Sequence, residues 1–141
     1  VIEPDPTYEF AATPRAIGGI RFVQGLIENL KMSLYGRYVF KNFARERNIQ
    51  EDFVDLNFHE CGYLFLGTGN TVKAFEENYT MLSDGGADIK LMDRRSLESL
   101  LPSFNFKDID VGLYSPSDGR IDPYSALRGF KRAANRLGGR I

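Results

Sequence analysis

The stretch Ala11-Ala12-Thr13-Pro14-Arg15-Ala16-Ile17-Gly18-Gly19-Ile20-Arg21 concentrates groups that can do chemistry. Paired glycines let backbone approach a ligand closely and offer N–H donors to it. The Arg21 guanidinium can hold a carboxylate or a developing negative charge, and the Thr13 hydroxyl can bond a phosphate. A plain turn with surface arginines is the simpler reading of the same composition.

Other constellations compete with it. Val1-Ile2-Glu3, followed by Pro4-Asp5-Pro6, reads as a buried strand ending in an acid. In dinucleotide-binding α/β folds such a carboxylate accepts hydrogen bonds from a ribose. An ordinary surface glutamate after an edge strand is the plain alternative. Gly67-Thr68-Gly69-Asn70-Thr71-Val72 imitates a glycine-rich phosphate turn. Branched Val72 at its third small position argues instead for a simple turn from strand to helix. The basic row Arg128, Lys131, Arg132, Arg136, Arg140 is a possible phosphate patch, but reads best as a solvated helix face. His59 and Cys61 alternate along a strand and are read as structural, because neighbours on one strand face lack the geometry of a nucleophile pair. Asn78-Tyr79-Thr80 matches a glycosylation sequon with no leader to give it effect.

Elements that would position these groups follow from periodicity and punctuation. A helix over 26–47 carries two apolar stripes, Ile27-Leu30-Leu34-Tyr38 and Met32-Tyr35-Val39-Phe43. Its charges, Glu28 early and Lys41, Arg45 and Arg47 late, complement the macrodipole. Residues 57–67 read as two short strands or one bent strand around Gly62. A helix capped by Asn70 or Thr71 carries Val72, Phe75, Tyr79 and Leu82 and ends at Gly85-Gly86. Ile89 and Leu91 mark a strand, Asp93 caps a helix stopped by Pro102, and Ile109, Val111 and Leu113 alternate as a half-buried strand. Ser117-Asp118-Gly119 is a turn. Asp122-Pro123 opens a helix with Tyr124, Leu127, Phe130, Ala134 and Leu137 on its apolar face. Strands alternating with helices predict an α/β to α+β fold.

Composition narrows the class. The 141 residues carry 18 Lys+Arg against 19 Asp+Glu, a net charge of -1, which disfavours a nucleic-acid binder relying on bulk basic charge. Eleven Phe and seven Tyr supply a core, so disorder is not expected. No apolar run approaches the ~20 residues of a membrane span. One cysteine and one histidine exclude a disulfide framework and multi-thiolate or multi-histidine metal sites, so no metal site is expected. With no leader evident, a cytoplasmic location is expected. The chain opens inside an apolar stretch and stops after Arg140-Ile141, which reads as a segment of a longer protein.

Taken in order, four stretches resemble the flavoprotein family of D-amino-acid oxidase, glycine oxidase and sarcosine oxidase. They are Val1-Ile2-Glu3-Pro4-Asp5-Pro6; Gly18-Gly19-Ile20-Arg21 before a long helix; Gly62-Tyr63-Leu64-Phe65-Leu66; and Asp118-Gly119-Arg120-Ile121-Asp122-Pro123 leading to Leu137-Gly138-Gly139. The resemblance implies an FAD-dependent oxidoreductase. It implies part of a Rossmann-like FAD-binding domain (1–50, returning at 117–141) and part of an antiparallel-sheet substrate domain (51–116). Glu3 would bind the ribose. Thr13, Pro14, Arg15, Gly18, Gly19, Ile20 and Arg21 would line the cofactor, with Arg21 against the flavin as the catalytic residue. Family members carry a second arginine three residues later for a substrate carboxylate. Here that position is Gln24, which weakens the case for a carboxylate-anchored amino acid. The implied chemistry is hydride transfer from the carbon beside an amine nitrogen to flavin, then imine hydrolysis. Partners would be a small amine or amino-acid substrate, the remaining parts of the parent chain and further copies in an oligomer, with no nucleic acid. The alternative is a non-catalytic interaction module derived from such a fold.

Overall fold

The structure, a computed structural model, describes Asp5, residues 7–43 and residues 55–139. Glu3 lies outside the described residues, as do Arg45, Arg47 and Arg140. The described chain forms two compact units. One holds the chain up to Ile20, residues 36–43 and 55–59, and the chain from Arg120 onward. The second holds Arg21–Tyr35 and Glu60–Gly119.

The second unit is built on a three-stranded antiparallel sheet. In chain order after two short strands, β1 (Gly19–Ile20) and β2 (His59–Glu60), strand β3 (Tyr63–Gly67) and strand β4 (Lys90–Asp93) flank the central β5 (Val111–Ser115). The register pairs Tyr63 with Ser115, Phe65 with Leu113 and Leu91 with Leu113. One sheet face contributes Phe65 and Leu113 to a core with Phe22, Leu30, Leu82 and Ile89. Leu30 comes from helix α1 (Ile27–Lys41) and Leu82 from helix α2 (Val72–Asp84). The α2 stripe is as expected, with Phe75 and Tyr79 packed against the same core.

The expected half-buried alternation of β5 does not hold. Val111, Gly112 and Leu113 are all buried, so the sheet is covered on both sides. Glycine at 112 is the reason: a Cβ there would fall 2.8 Å from Leu97 of helix α3 (Arg94–Leu100). Asp93 caps α3 by accepting the Ser96 N–H at 2.8 Å. Neither Asn70 nor Thr71 caps α2 through its side chain. A 3-10 turn over Gly69–Thr71 leads into the helix, and the Thr71 hydroxyl donates back to the Thr68 carbonyl. Gly67 is needed for packing, since a Cβ would sit 2.5 Å from Thr71 Oγ1 and 2.9 Å from Phe75 and Val111. This matches the simple strand-to-helix turn.

In the first unit, helix α4 (Pro123–Arg136) starts as Asp122-Pro123 predicts. Asp122 accepts the N–H groups of Tyr124 and Ser125 and the Ser125 hydroxyl. The buried face differs from the expected one. Ser125, Ala126, Gly129 and Ala133 are buried, whereas Tyr124 is 61% and Leu137 90% exposed. Small residues at helical spacing admit close backbone approach, and a stripe drawn through large apolar residues misses them. Ala126 joins a cluster with Val39, Phe43 and Leu56, and Phe130 meets Phe43 edge to face at 4.9 Å. Helix α1 thus supplies Leu30 to one core and Val39 to another, while Met32 and Tyr35 of its second stripe are exposed.

Two outcomes check this account. Leu82→Ala, at a fully buried site, should cost about 2–5 kcal/mol through lost transfer energy and a cavity, read as a lower denaturant midpoint. The Asp122 carboxyl is held below its ordinary 3.8, first by the Ser125 side-chain hydrogen bond, against a smaller opposing effect of burial. A depressed folded value stabilises above the unfolded value and is lost as pH falls through the folded one. Wild type should therefore exceed Asp122→Ala by ~1 kcal/mol near neutrality, and the gap should close as pH drops below 3.8.

Candidate functional site: an exposed guanidinium beside a diglycine loop

Within the first unit, Thr13-Pro14-Arg15 forms one 3-10 turn with Pro14 in its first positions. Proline fixes φ and gives up no needed donor there. Arg15 is engaged locally: its Nε donates to the Glu9 carbonyl at 3.0 Å and its guanidinium stands over the Phe10 ring. Gly18 has φ +77, the left-handed region, and a Cβ there would collide with the Ile121 carbonyl. Its own carbonyl accepts the Ile121 N–H at 2.9 Å. Gly19–Ile20 then forms the short strand β1. From Ile17 opens a groove of about 320 Å³, lined also by Asn57, Arg120, Ile121, Asp122 and Pro123. Asp122, the one acid on it, is already taken up by the first turn of α4.

Arg21 and Gln24 belong to the second unit, which brings them together. Gln24 Nε2 donates to the Arg21 carbonyl at 3.1 Å and to Ser33 Oγ at 3.2 Å. Both amide hydrogens are thus used, and the amide oxygen is what Gln24 has left to offer. Arg21 is exposed, with its guanidinium carbon 5.7 Å from the centre of the Tyr63 ring. That is within cation–π range. Tyr63 in turn stacks on Phe65, with centroids 6.4 Å apart. Among the described residues no carboxylate pairs with Arg21, so its N–H edge can meet an incoming anion.

Two participants were not legible in the sequence. Tyr63 read as a strand residue, and Asp118 as part of a turn. Asp118 is fully buried. Its Oδ1 accepts the Phe22 N–H at 3.0 Å and the Ser115 hydroxyl at 2.7 Å, and its carbonyl accepts the N–H groups of Cys61 and Gly62. The spacing Ser115-x-x-Asp118 at a strand end was the available signal. His59 and Cys61 are both exposed, with His59 Nε2 2.6 Å from Asn57 Oδ1. Of the basic row, Lys131 lies over the Tyr8 ring, while Arg128, Arg132 and Arg136 are exposed. Among the described residues no cluster could hold a metal ion, and no helix is long and apolar enough to cross a membrane.

Residues 1–141 match the family described as DAO, FAD-dependent oxidoreductase. The chain belongs to this family. FAD is the cofactor that membership brings. The "FAD-dependent oxidoreductase domain-containing protein 1" of Xenopus laevis is 34% identical over 140 residues, covering 98% of this chain and 28% of that protein. The Homo sapiens protein "Dimethylglycine dehydrogenase, mitochondrial" is 31% identical over 85 residues, covering 59% of this chain and 10% of that protein. Among solved structures, L-proline dehydrogenase from P. horikoshii superposes with a TM-score of 0.74 at 24% identity, over 91% of this chain and 33% of that one. The mixed helix and antiparallel-sheet fold is therefore that of this family. The chain spans only about a third or less of the length of these proteins.

The residues fit FAD in their chemistry. Within the second unit the Arg21 guanidinium keeps an open N–H edge, and within the first unit Arg120 lies on a groove whose described lining holds no unengaged acid; each, taken by itself, suits an anionic group such as a pyrophosphate. The diglycine loop is held in shape by the Gly18–Ile121 contact. Gly18→Ala should cost ~2–3 kcal/mol, combining strained φ with the collision. Gly86→Ala, with φ +87 and open space around it, should cost only ~1 kcal/mol. Thermal unfolding of the two variants checks the difference.

Proposed function

We propose that this chain is part of an FAD-dependent oxidoreductase that oxidises a C–N bond of an amine or amino acid. In this reading Glu3, Thr13, Pro14, Arg15, Gly18, Gly19 and Ile20 line the cofactor, Arg21 lies against the flavin, and Gln24 faces the substrate side. Residues 1–50 and 117–141 would contribute to the FAD-binding domain and residues 51–116 to the substrate domain. The observation that carries the reading is the exposed Arg21 guanidinium, backed by an aromatic face and free of an acidic partner among the described residues. The names of the similar proteins, dimethylglycine dehydrogenase and L-proline dehydrogenase, point to secondary or tertiary amines.

When bound, FAD accepts the hydride from the carbon next to the amine nitrogen. The chain's own residues orient and polarise. Arg21 presents fixed positive charge where electron density accumulates. Gln24, its hydrogens committed to Arg21 and Ser33, offers a carbonyl oxygen. A carbonyl accepts an N–H and repels a carboxylate, so the position favours the amine end of a substrate. A reducing compartment, the cytoplasm in the simplest case, suits the exposed Cys61 thiol.

The full-length protein should carry flavin absorbance that bleaches anaerobically on adding an N-methyl amino acid. Arg21→Ala should slow that reduction by ~10²-fold or more while the protein stays folded. A colourless preparation that cannot be reconstituted with FAD would sink the reading.

A further inference from the structure

We propose that Asp118 is the positioning residue for the Arg21 guanidinium: its buried carboxylate fixes the backbone beside the arginine and the strand partner of the ring beneath it, and its main-chain carbonyl holds the turn before that ring. The proposal rests on the assignment of Arg21 to the flavin made above.

The geometry is specific. Asp118 Oδ1 accepts the N–H of Phe22, the residue directly after Arg21, at 3.0 Å. The Asp118 carbonyl accepts the N–H groups of Cys61 at 3.1 Å and Gly62 at 2.9 Å, the two residues directly before Tyr63. Ser115, the cross-strand partner of Tyr63, donates its hydroxyl to the same Oδ1 at 2.7 Å. The backbone on the C-terminal side of the cation and the backbone on the N-terminal side of its aromatic support are thus referenced to one residue. Gly62 makes the approach possible, because at φ +73 a Cβ would meet the Tyr114 ring at 2.8 Å.

Charge explains why an acid stands here. Hydrogen bonds to a carboxylate are roughly twice as strong as neutral ones. A long flexible arginine on an exposed segment is otherwise free to swing. Anchoring its backbone on one side and its ring platform on the other restricts that swing without touching the guanidinium. Asp118 acts through Arg21 and does not itself meet a ligand.

The test uses the full-length protein loaded with FAD and reads sulfite affinity from the flavin spectrum. Sulfite addition puts negative charge on the flavin, and a well-placed cation strengthens it. Arg21→Ala should weaken sulfite binding by about tenfold or more, equivalent to ~1.4 kcal/mol. Asp118→Ala should weaken it about three- to tenfold and raise amide hydrogen exchange at Phe22, whose N–H loses its acceptor. Asp118→Asn, which keeps an acceptor oxygen, should restore both. Leu97→Ala, fully buried and packed against Gly112, supplies a destabilised control and should leave sulfite affinity unchanged.

Unchanged affinity in Arg21→Ala overturns the flavin assignment and this proposal with it. Unchanged affinity in Asp118→Ala beside a weakened Arg21→Ala overturns the positioning role alone, as does an equal loss in Leu97→Ala. Should Asp118→Ala fail to fold, Tyr63→Leu and Ser115→Ala carry the test. A weaker affinity in each supports the proposal, and wild-type affinity in both overturns it.

Discussion

A carboxylate removed from solvent is stable only where the protein supplies the hydrogen bonds that water gave up. Asp118 is such a group, with no exposed surface. Its surroundings show donors that replace that water: a loop amide at Phe22 and a strand hydroxyl at Ser115 both reach the carboxylate, while its main-chain carbonyl separately accepts the amides of Cys61 and Gly62. Ser115 is a near neighbour in sequence, but Phe22 lies 96 positions before Asp118. No local propensity could bring them together. The arrangement therefore constrains tertiary structure, and the position of Arg21 is one of its consequences.

The same distinction explains what the sequence revealed. Features encoded over a few residues were readable. Asp93 and Asp122 cap the helices that follow them, Gly85-Gly86 ends α2, and Gly62 separates two strands. Features that depend on what packs opposite were not. The buried stripe of α4 runs through Ser125, Gly129 and Ala133 because close approach favours small residues, and hydropathy gives these little weight. Gly112 looked like an interruption of β5 and is the opening that admits Leu97. Asp118-Gly119 carries the composition of a turn, and the turn is real, but composition is silent on whether its acid points inward.

The candidate site shows the same division. Gly18, Gly19 and Arg21 were visible because paired glycines and an arginine in one loop form a chemical pattern. The need for glycine at 18 is now specific: the backbone takes a left-handed φ, and the Ile121 carbonyl occupies the place of a side chain. Tyr63 was invisible as a site residue, since an aromatic in a strand ordinarily signals core. Here it is only half-buried, and its ring serves a cation. Arg15, equally prominent in the sequence, is tied to Glu9 and Phe10. Two arginines six residues apart thus have different local roles, one closing a turn and the other left open to an anion.

That difference bears on specificity. A guanidinium already matched with a carboxylate has little left to give a ligand, because its charge and directional donors are both spent. Among the described residues Arg21 meets the negative face of the Tyr63 ring and no carboxylate, an arrangement that attracts the charge while leaving the in-plane N–H groups open. Gln24 is complementary: its donors are occupied and its oxygen remains. Side by side, the two residues present a donor edge and an acceptor atom on one short segment. A substrate whose nitrogen carries a hydrogen matches the acceptor, and a group gaining electrons matches the donor edge. In the proposed function, an amine oxidised beside a flavin would supply both at once. On that proposal, a carboxylate-bearing substrate would have to be anchored by residues other than Gln24, whose oxygen opposes it.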